Sequence, residues 1–99
     1  MMVAERVHTI IKKIPKGKVA TYKQIASLAG NIHPRYIGYL LHHNPDPKTI
    51  PCHRVVNAQG KLAKQYAFSG IEGQKMKLEQ EGITVKEDEV DLDRYLWKQ

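Results

Sequence analysis

Apolar side chains at Val3, Val7, Ile10, Ile11 and Ile14 recur at intervals of three and four, which places them on one stripe of a first helix. Pro15 and Gly17 end that segment. Lys18-Val19-Ala20 is a short extended piece. Thr21 has the character of an N-cap, and Gln24 completes a capping box ahead of Ile25, Leu28 and Ala29. Gly30 closes this second helix. Pro34 suits the first position of a third helix with Ile37, Leu40 and Leu41 on its buried face, and Asn44-Pro45 stops it. Two short helices joined by a tight Gly-Asn turn, over residues 21–43, read as a helix-turn-helix rather than an ordinary helical hairpin. The second would be the recognition helix, with Arg35, Gly38, Tyr39 and His42 facing outward.

Downstream the pattern is shorter in period. Asp46-Pro47-Lys48 is a turn, and Pro51 to Val56 runs into Asn57-Ala58-Gln59-Gly60, which predicts a hairpin turn. Residues 61–70 show no clear period. A fourth helix is predicted from about Ile71 to Glu81, ending at Gly82. The tail from Ile83 holds an acidic run, Glu87 to Asp91, followed by Leu92, Tyr95, Leu96 and Trp97, which should dock onto the core. The expected fold is one mostly α domain over residues 1–99, winged helix-turn-helix-like, with a small β-hairpin and a cysteine-bearing loop at 50–57.

Composition sharpens this picture. At 99 residues, 41% hydrophobic and 26% charged, the chain can bury one modest core and should fold. Its net charge of +6 is unevenly spread. Residues 1–71 carry 11 Lys and Arg against Glu5 and Asp46, whereas residues 72–99 carry 5 basic and 8 acidic residues. A basic first part points to a polyanion partner, nucleic acid ahead of an anionic membrane surface, with a merely solvated basic face as the plain alternative. One cysteine permits no intramolecular disulfide and suits a reducing compartment. No apolar stretch is long enough for a signal peptide or a membrane span, so the expected location is cytoplasmic, nucleoid-associated in a bacterium.

Cys52 is the lone thiol, and His53 follows it. A free thiol is only a few per cent thiolate at neutral pH, and an adjacent imidazole or a basic surround, here Arg54 and the lysines, raises that fraction. A thiolate is a soft nucleophile suited to saturated carbon. The commoner fate of a lone cysteine is a small buried hydrophobe. The five histidines lack the paired spacing of a zinc motif, so no metal is expected.

Asn44-Pro45 followed by Ile50-Pro51-Cys52-His53-Arg54-Val55-Val56 resembles the active-site signature of O6-alkylguanine-DNA alkyltransferases. Gly17-Lys18-Val19-Ala20-Thr21-Tyr22, with Gln24 and Ala29-Gly30, is similar to that family's approach to its helix-turn-helix. Arg35-Tyr36-Ile37-Gly38 stands where the family has its arginine finger, and Glu81-Gly82 resembles the close of its last helix. The resemblance covers most of residues 3–83.

The resemblance implies the following roles. Cys52 accepts the alkyl group in one irreversible displacement, so no cofactor is needed. His53 is the general base, through a water, and Glu81 orients it. Tyr22 lies at the backbone of the flipped nucleotide and gives a proton or hydrogen bond toward the base. Arg35 enters from the minor groove and fills the gap. Gly38, Tyr39, Thr21, Lys23, Asn44 and Arg54 complete the expected DNA-binding set, with Asn44 bracing the turn before the cysteine loop and Arg54 acting structurally or electrostatically rather than as a catalyst. The partner is double-stranded DNA containing O6-alkylguanine, the protein is expected to be a monomer, and no membrane is involved.

Three departures from the family pattern stand out. These 99 residues hold no counterpart of the family's separate N-terminal domain, Lys64-Gln65-Tyr66 only loosely replaces the family's Gly-Gly-Tyr pocket wall, and Leu40 stands where a small residue is usual. The short length and the Asp91-to-Trp97 tail are similar to the alkyltransferase-like proteins, which bind alkylated DNA without transfer and lack the cysteine that this chain keeps. Three functions follow as expectations. They are a single-turnover DNA-repair alkyltransferase, a non-enzymatic lesion sensor serving another pathway such as nucleotide-excision repair, and a winged helix-turn-helix regulator.

Overall fold

The computed structural model describes residues 2–63 and 70–98. The elements in chain order are α1 (Val3–Lys12), β1 (Ala20–Thr21), α2 (Tyr22–Leu28), α3 (Pro34–His42), a 3-10 turn at Cys52–Arg54, β2 (Val55–Val56), α4 (Gly70–Gln80), β3 (Val85–Lys86), β4 (Glu89–Val90) and α5 (Leu92–Tyr95). The architecture is mostly helical with short strands, and α2 and α3 form the helix-turn-helix.

Local chemistry explains the helix boundaries. Thr21 accepts from the Gln24 amide at 3.0 Å, and the Gln24 side chain returns the bond to the Thr21 amide at 3.3 Å. This reciprocal cap satisfies two donors that a helix start otherwise leaves unpaired. Between α2 and α3 the chain turns through Gly30 and Asn31 at φ 107° and 60°. A side chain at Gly30 would also crowd the Arg6 guanidinium, which donates to the Ala29 carbonyl at 2.9 Å. Helix α3 has Pro34 at its start and a cap that spacing did not predict, since His33 Nδ1 accepts from the Arg35 amide at 3.0 Å.

A two-stranded parallel ribbon divides the interior, with Ala20 opposite Val55 and Thr21 opposite Val56. Side chains alternate across a strand, so its two faces serve two cores. Ala20 and Val55 join Val7, Ile11, Ile14, Ile25, Ile37 and Cys52 on the α1–α3 side. Val19 and Val56 join Leu62, Leu78, Ile83, Val85, Val90 and Tyr95 on the other. Each fully buried aliphatic side chain stabilises the fold by about 1.5–3 kcal/mol.

The predicted hairpin after Val56 is corrected by this topology. Residues 57–60 do form a tight turn, in which the Gly60 amide donates to the Asn57 carbonyl at 2.9 Å. The strand before it nonetheless pairs with β1, and Lys61 bridges to Glu89. The hairpin is β3–β4, in the segment expected to be only an acidic tail. Its Glu87-Asp88 loop holds both residues at positive φ, 53° and 59°. That is the twist-matched two-residue turn, made here without the usual Asn-Gly. The tail docks as expected, through an Val19–Leu96 bridge and with Trp97 packed on the first core. Lys64-Gln65-Tyr66 lies outside the described residues.

Candidate active site and nucleic-acid interface

The 3-10 turn packs against α4 and places Cys52 in the core shared with α1–α3. Asn44 pins the approach. Its Nδ2 donates to the Ile50 carbonyl at 2.9 Å and its Oδ1 accepts from the Asp46 amide at 2.9 Å. Asn44 is thus a buried brace, with both ends of its amide engaged inside the fold. Cys52 itself is 2% exposed. Tyr22, at the first position of α2, packs against the same core. Burial, and then the neighbouring Cys52, push its phenol above the ordinary tyrosine value, so it is held protonated.

His53, Arg54 and Glu81 form one linked group. His53 Nε2 lies 2.9 Å from Glu81 Oε2. Arg54 meets the same carboxylate twice, Nε on Oε1 at 2.9 Å and Nη2 on Oε2 at 2.7 Å. Its Nη1 donates to the Ile14 carbonyl at 2.8 Å, tying the group to the end of the α1 segment. Burial alone would raise Glu81, but the Arg54 and His53 hydrogen bonds outweigh it and hold the carboxyl below its usual range. Burial lowers His53 against the opposing pull of Glu81, so the imidazole is neutral. An ionised carboxylate only accepts, so Nε2 carries the ring proton. Nδ1 keeps a lone pair, is buried, and has no hydrogen-bond partner among the described residues.

This geometry gives Arg54 a structural role, joining Glu81 to the end of the α1 segment. Its charge is neutralised by Glu81, so it does not supply a net positive surround to the thiol. Its guanidinium is turned inward, with the side chain 15% exposed.

Gln74 was missed by sequence reasoning. It is fully buried on α4. Its Nε2 donates to the carbonyls of His53 at 3.1 Å and Val55 at 3.0 Å, and its Oε1 accepts from the Ala63 amide at 2.8 Å. The signal was available, since Gln74 stands on the same helical stripe as Ile71 and Leu78.

The remaining predicted residues lie on the outside of the helix-turn-helix. Thr21 caps α2 and Lys23 is exposed beside it. Arg35, Tyr36, Tyr39, His42 and His43 are exposed along α3. Tyr36 and Tyr39 stack with ring centroids 6.0 Å apart, and Tyr39 lies 4.5 Å from the His43 ring. A side chain at Gly38 would meet no other protein atom within 4 Å, so packing within the fold does not require glycine there. Among the described residues no three His, Cys, Asp or Glu side chains gather as a metal site, and no helix is long and apolar enough to cross a membrane.

Residues 2–83 match the family model described as 6-O-methylguanine DNA methyltransferase, DNA binding domain. A DNA base-flipping protein of Vibrio parahaemolyticus is 39% identical, over 94% of this chain and 93% of that protein. Alkyltransferase-like protein 1 of Schizosaccharomyces pombe is 33% identical, over 94% and 92%. The structure of S. pombe Atl1 in complex with damaged DNA containing O6-carboxymethylguanine superposes with a TM-score of 0.86 at 32% identity, covering 98% of this chain and 95% of that one. A methylated-DNA–protein-cysteine methyltransferase of Methanothermobacter thermautotrophicus is 36% identical, over 82% of this chain but 44% of its own length.

Proposed function

Because this chain belongs to the 6-O-methylguanine DNA methyltransferase DNA-binding-domain family, we propose that it binds duplex DNA containing O6-alkylguanine, turns the damaged nucleotide out of the stack and accepts the alkyl group on Cys52. The observation that carries the reading is the linked set that follows the thiol in the chain: a neutral His53 oriented by Glu81, with a protonated Tyr22 near Cys52.

The O6-alkyl carbon is shielded inside a duplex, so the nucleotide must be extruded at a cost of a few kcal/mol. Arg35, exposed in the first turn of α3, offsets part of that cost by filling the gap. Gly38, one turn on, lets the backbone of a duplex come close. Thr21, Lys23 and the lysines before them hold phosphates without reading sequence.

In the displacement, the thiol proton passes to His53 Nδ1 through a water. The sulfur then forms a bond to the alkyl carbon as the carbon–O6 bond breaks. The electron pair remains on the base, and the Tyr22 hydroxyl offers it a hydrogen bond. The product is a thioether, so each molecule reacts once. The thiol is the only reagent the protein supplies.

A second reading, a sensor that holds the flipped base without transfer, is favoured by one observation. The base-flipping and alkyltransferase-like relatives align over 94% of this chain, tail included, whereas the family model stops at residue 83. Binding to matched duplexes with and without one O6-methylguanine tests the part that both readings share. The lesion duplex should bind more tightly, Arg35→Ala should remove most of that preference, and Cys52→Ala should keep it. Equal affinity of the wild type for both duplexes would contradict lesion recognition.

A further inference from the structure

By sequence, residues 72–99 carry a net negative charge and should be repelled by DNA. The fold divides that charge. Glu87 and Glu89 lie with the hairpin in a groove beside Ala58 and Gln59. Arg94 and Lys98 instead line a hollow with Pro15, Lys18, Leu96 and Trp97. Lys18, Arg94 and Lys98 are all exposed, and Lys18 Nζ donates to the Arg94 carbonyl at 3.4 Å. Three cations from opposite ends of the chain therefore gather there, with Asp93 as the one acidic residue lining the hollow.

The positions of these cations are fixed by backbone bonds to their neighbours. The Val19 amide donates to the Tyr95 carbonyl at 2.9 Å, and the Trp97 amide donates to the Val19 carbonyl at 2.7 Å. Gln24, half of the α2 cap, donates its Nε2 to the Trp97 carbonyl at 2.8 Å. The tail is therefore fastened to the same short stretch that presents Thr21, Tyr22 and Lys23. Arg94 also lies over the Tyr95 ring, 5.3 Å from its centroid. A phosphate backbone running past the start of α2 would meet this patch next.

We propose that Lys18, Arg94 and Lys98 form a phosphate-contact patch through which the C-terminal tail extends the DNA footprint beyond the helix-turn-helix. The inference rests on the DNA-binding reading above. Arg94 and Lys98 lie beyond residue 83, where the match to the family model ends. Contacts of this kind position a duplex without reading its bases, so the patch acts alike on damaged and undamaged DNA.

The test is fluorescence anisotropy of labelled duplexes, unmodified and carrying one O6-methylguanine, over a KCl series. Both substituted side chains are exposed, so the double variant Arg94→Ala with Lys98→Ala keeps the fold, which circular dichroism checks. The slope of log affinity against log salt should fall in magnitude by about 1.8, two phosphate contacts at about 0.9 each. Affinity should drop by the same factor on both duplexes, leaving the lesion preference unchanged, and Asp93→Asn should strengthen binding to both. A wild-type slope in the double variant would overturn the tail patch alone. A wild type that binds neither duplex would overturn the patch and the DNA-binding reading together.

Discussion

His53 donates its Nε2 proton to Glu81 Oε2 across 2.9 Å, and this bond decides that Nδ1 is the ring atom left with a lone pair. Arg54 holds the carboxylate in place from its other side. Orientation and tautomer of the proposed base are thereby set by Glu81 and Arg54, while burial keeps the imidazole neutral against the pull of Glu81.

Glu81→Gln should separate chemistry from binding. It removes the charge that Arg54 requires, and breaking this half-buried pair costs about 1–3 kcal/mol, less than for a fully buried one. It also releases the imidazole from its fixed tautomer. Single-turnover alkyl transfer should slow by about 10²-fold, the lower end of what a positioned base contributes. Affinity for the lesion duplex should stay near wild type. Rapid-quench kinetics and equilibrium binding on the same variant check both halves.

Stability should fall as the solution is acidified through neutrality. His53 sits below its ordinary value, so the unfolded chain binds that proton more readily than the folded one. Its stabilising contribution is present above about 6.5, the unfolded histidine value, and is lost as pH falls toward the lower folded value. Glu81 is also depressed, so its contribution is present above the ordinary carboxylate range and is lost at still lower pH. Both terms have the same sign. Urea unfolding from pH 8 to pH 4 should show stability declining with acid, and His53→Gln should flatten the portion near pH 6.

Gln74→Leu should be costly despite its similar volume. Two carbonyls, of His53 and Val55, and the Ala63 amide lose their buried partner. Unsatisfied groups of this kind cost about 1–3 kcal/mol each, and partial rehydration should leave a loss of at least about 2 kcal/mol. Denaturant titration measures the loss. Faster hydrogen exchange at the Ala63 amide would locate it.

Gly60→Ala tests how the tail is fastened. Gly60 has φ 86°, and an added methyl would run into the Val90 carbonyl. The Val90 amide also donates to the Gly60 carbonyl at 2.8 Å, so the two backbones cannot part without breaking that bond. Strain at positive φ adds about 1–3 kcal/mol. A lowered Tm with exchange broadening confined to residues 57–62 and 85–92 in an NMR spectrum is the expected result.

What was legible in the sequence was local. The Thr21–Gln24 cap and Pro34 at the head of α3 gave the helix-turn-helix, because those signals act within one turn of chain. The partner of Val55-Val56 was not legible. Parallel pairing with Ala20-Thr21 spans more than thirty residues and leaves no nearby turn motif, so Asn57 to Gly60 suggested a hairpin instead. The β3–β4 hairpin was hidden because Glu87-Asp88 lacks the usual Asn-Gly. At the site, Glu81 was named with His53 by resemblance alone. The inward turn of Arg54 and the reach of Gln74 depend on how α4 packs, which periodicity does not give.

The most direct measurement is the intact mass of the protein after incubation with an equimolar duplex carrying one O6-methylguanine. A gain of one methyl group is expected, mapped by peptide fragmentation to Cys52, complete after one turnover and absent in Cys52→Ala. An unchanged mass in a sample shown to have bound the lesion would contradict transfer and leave the protein as a sensor.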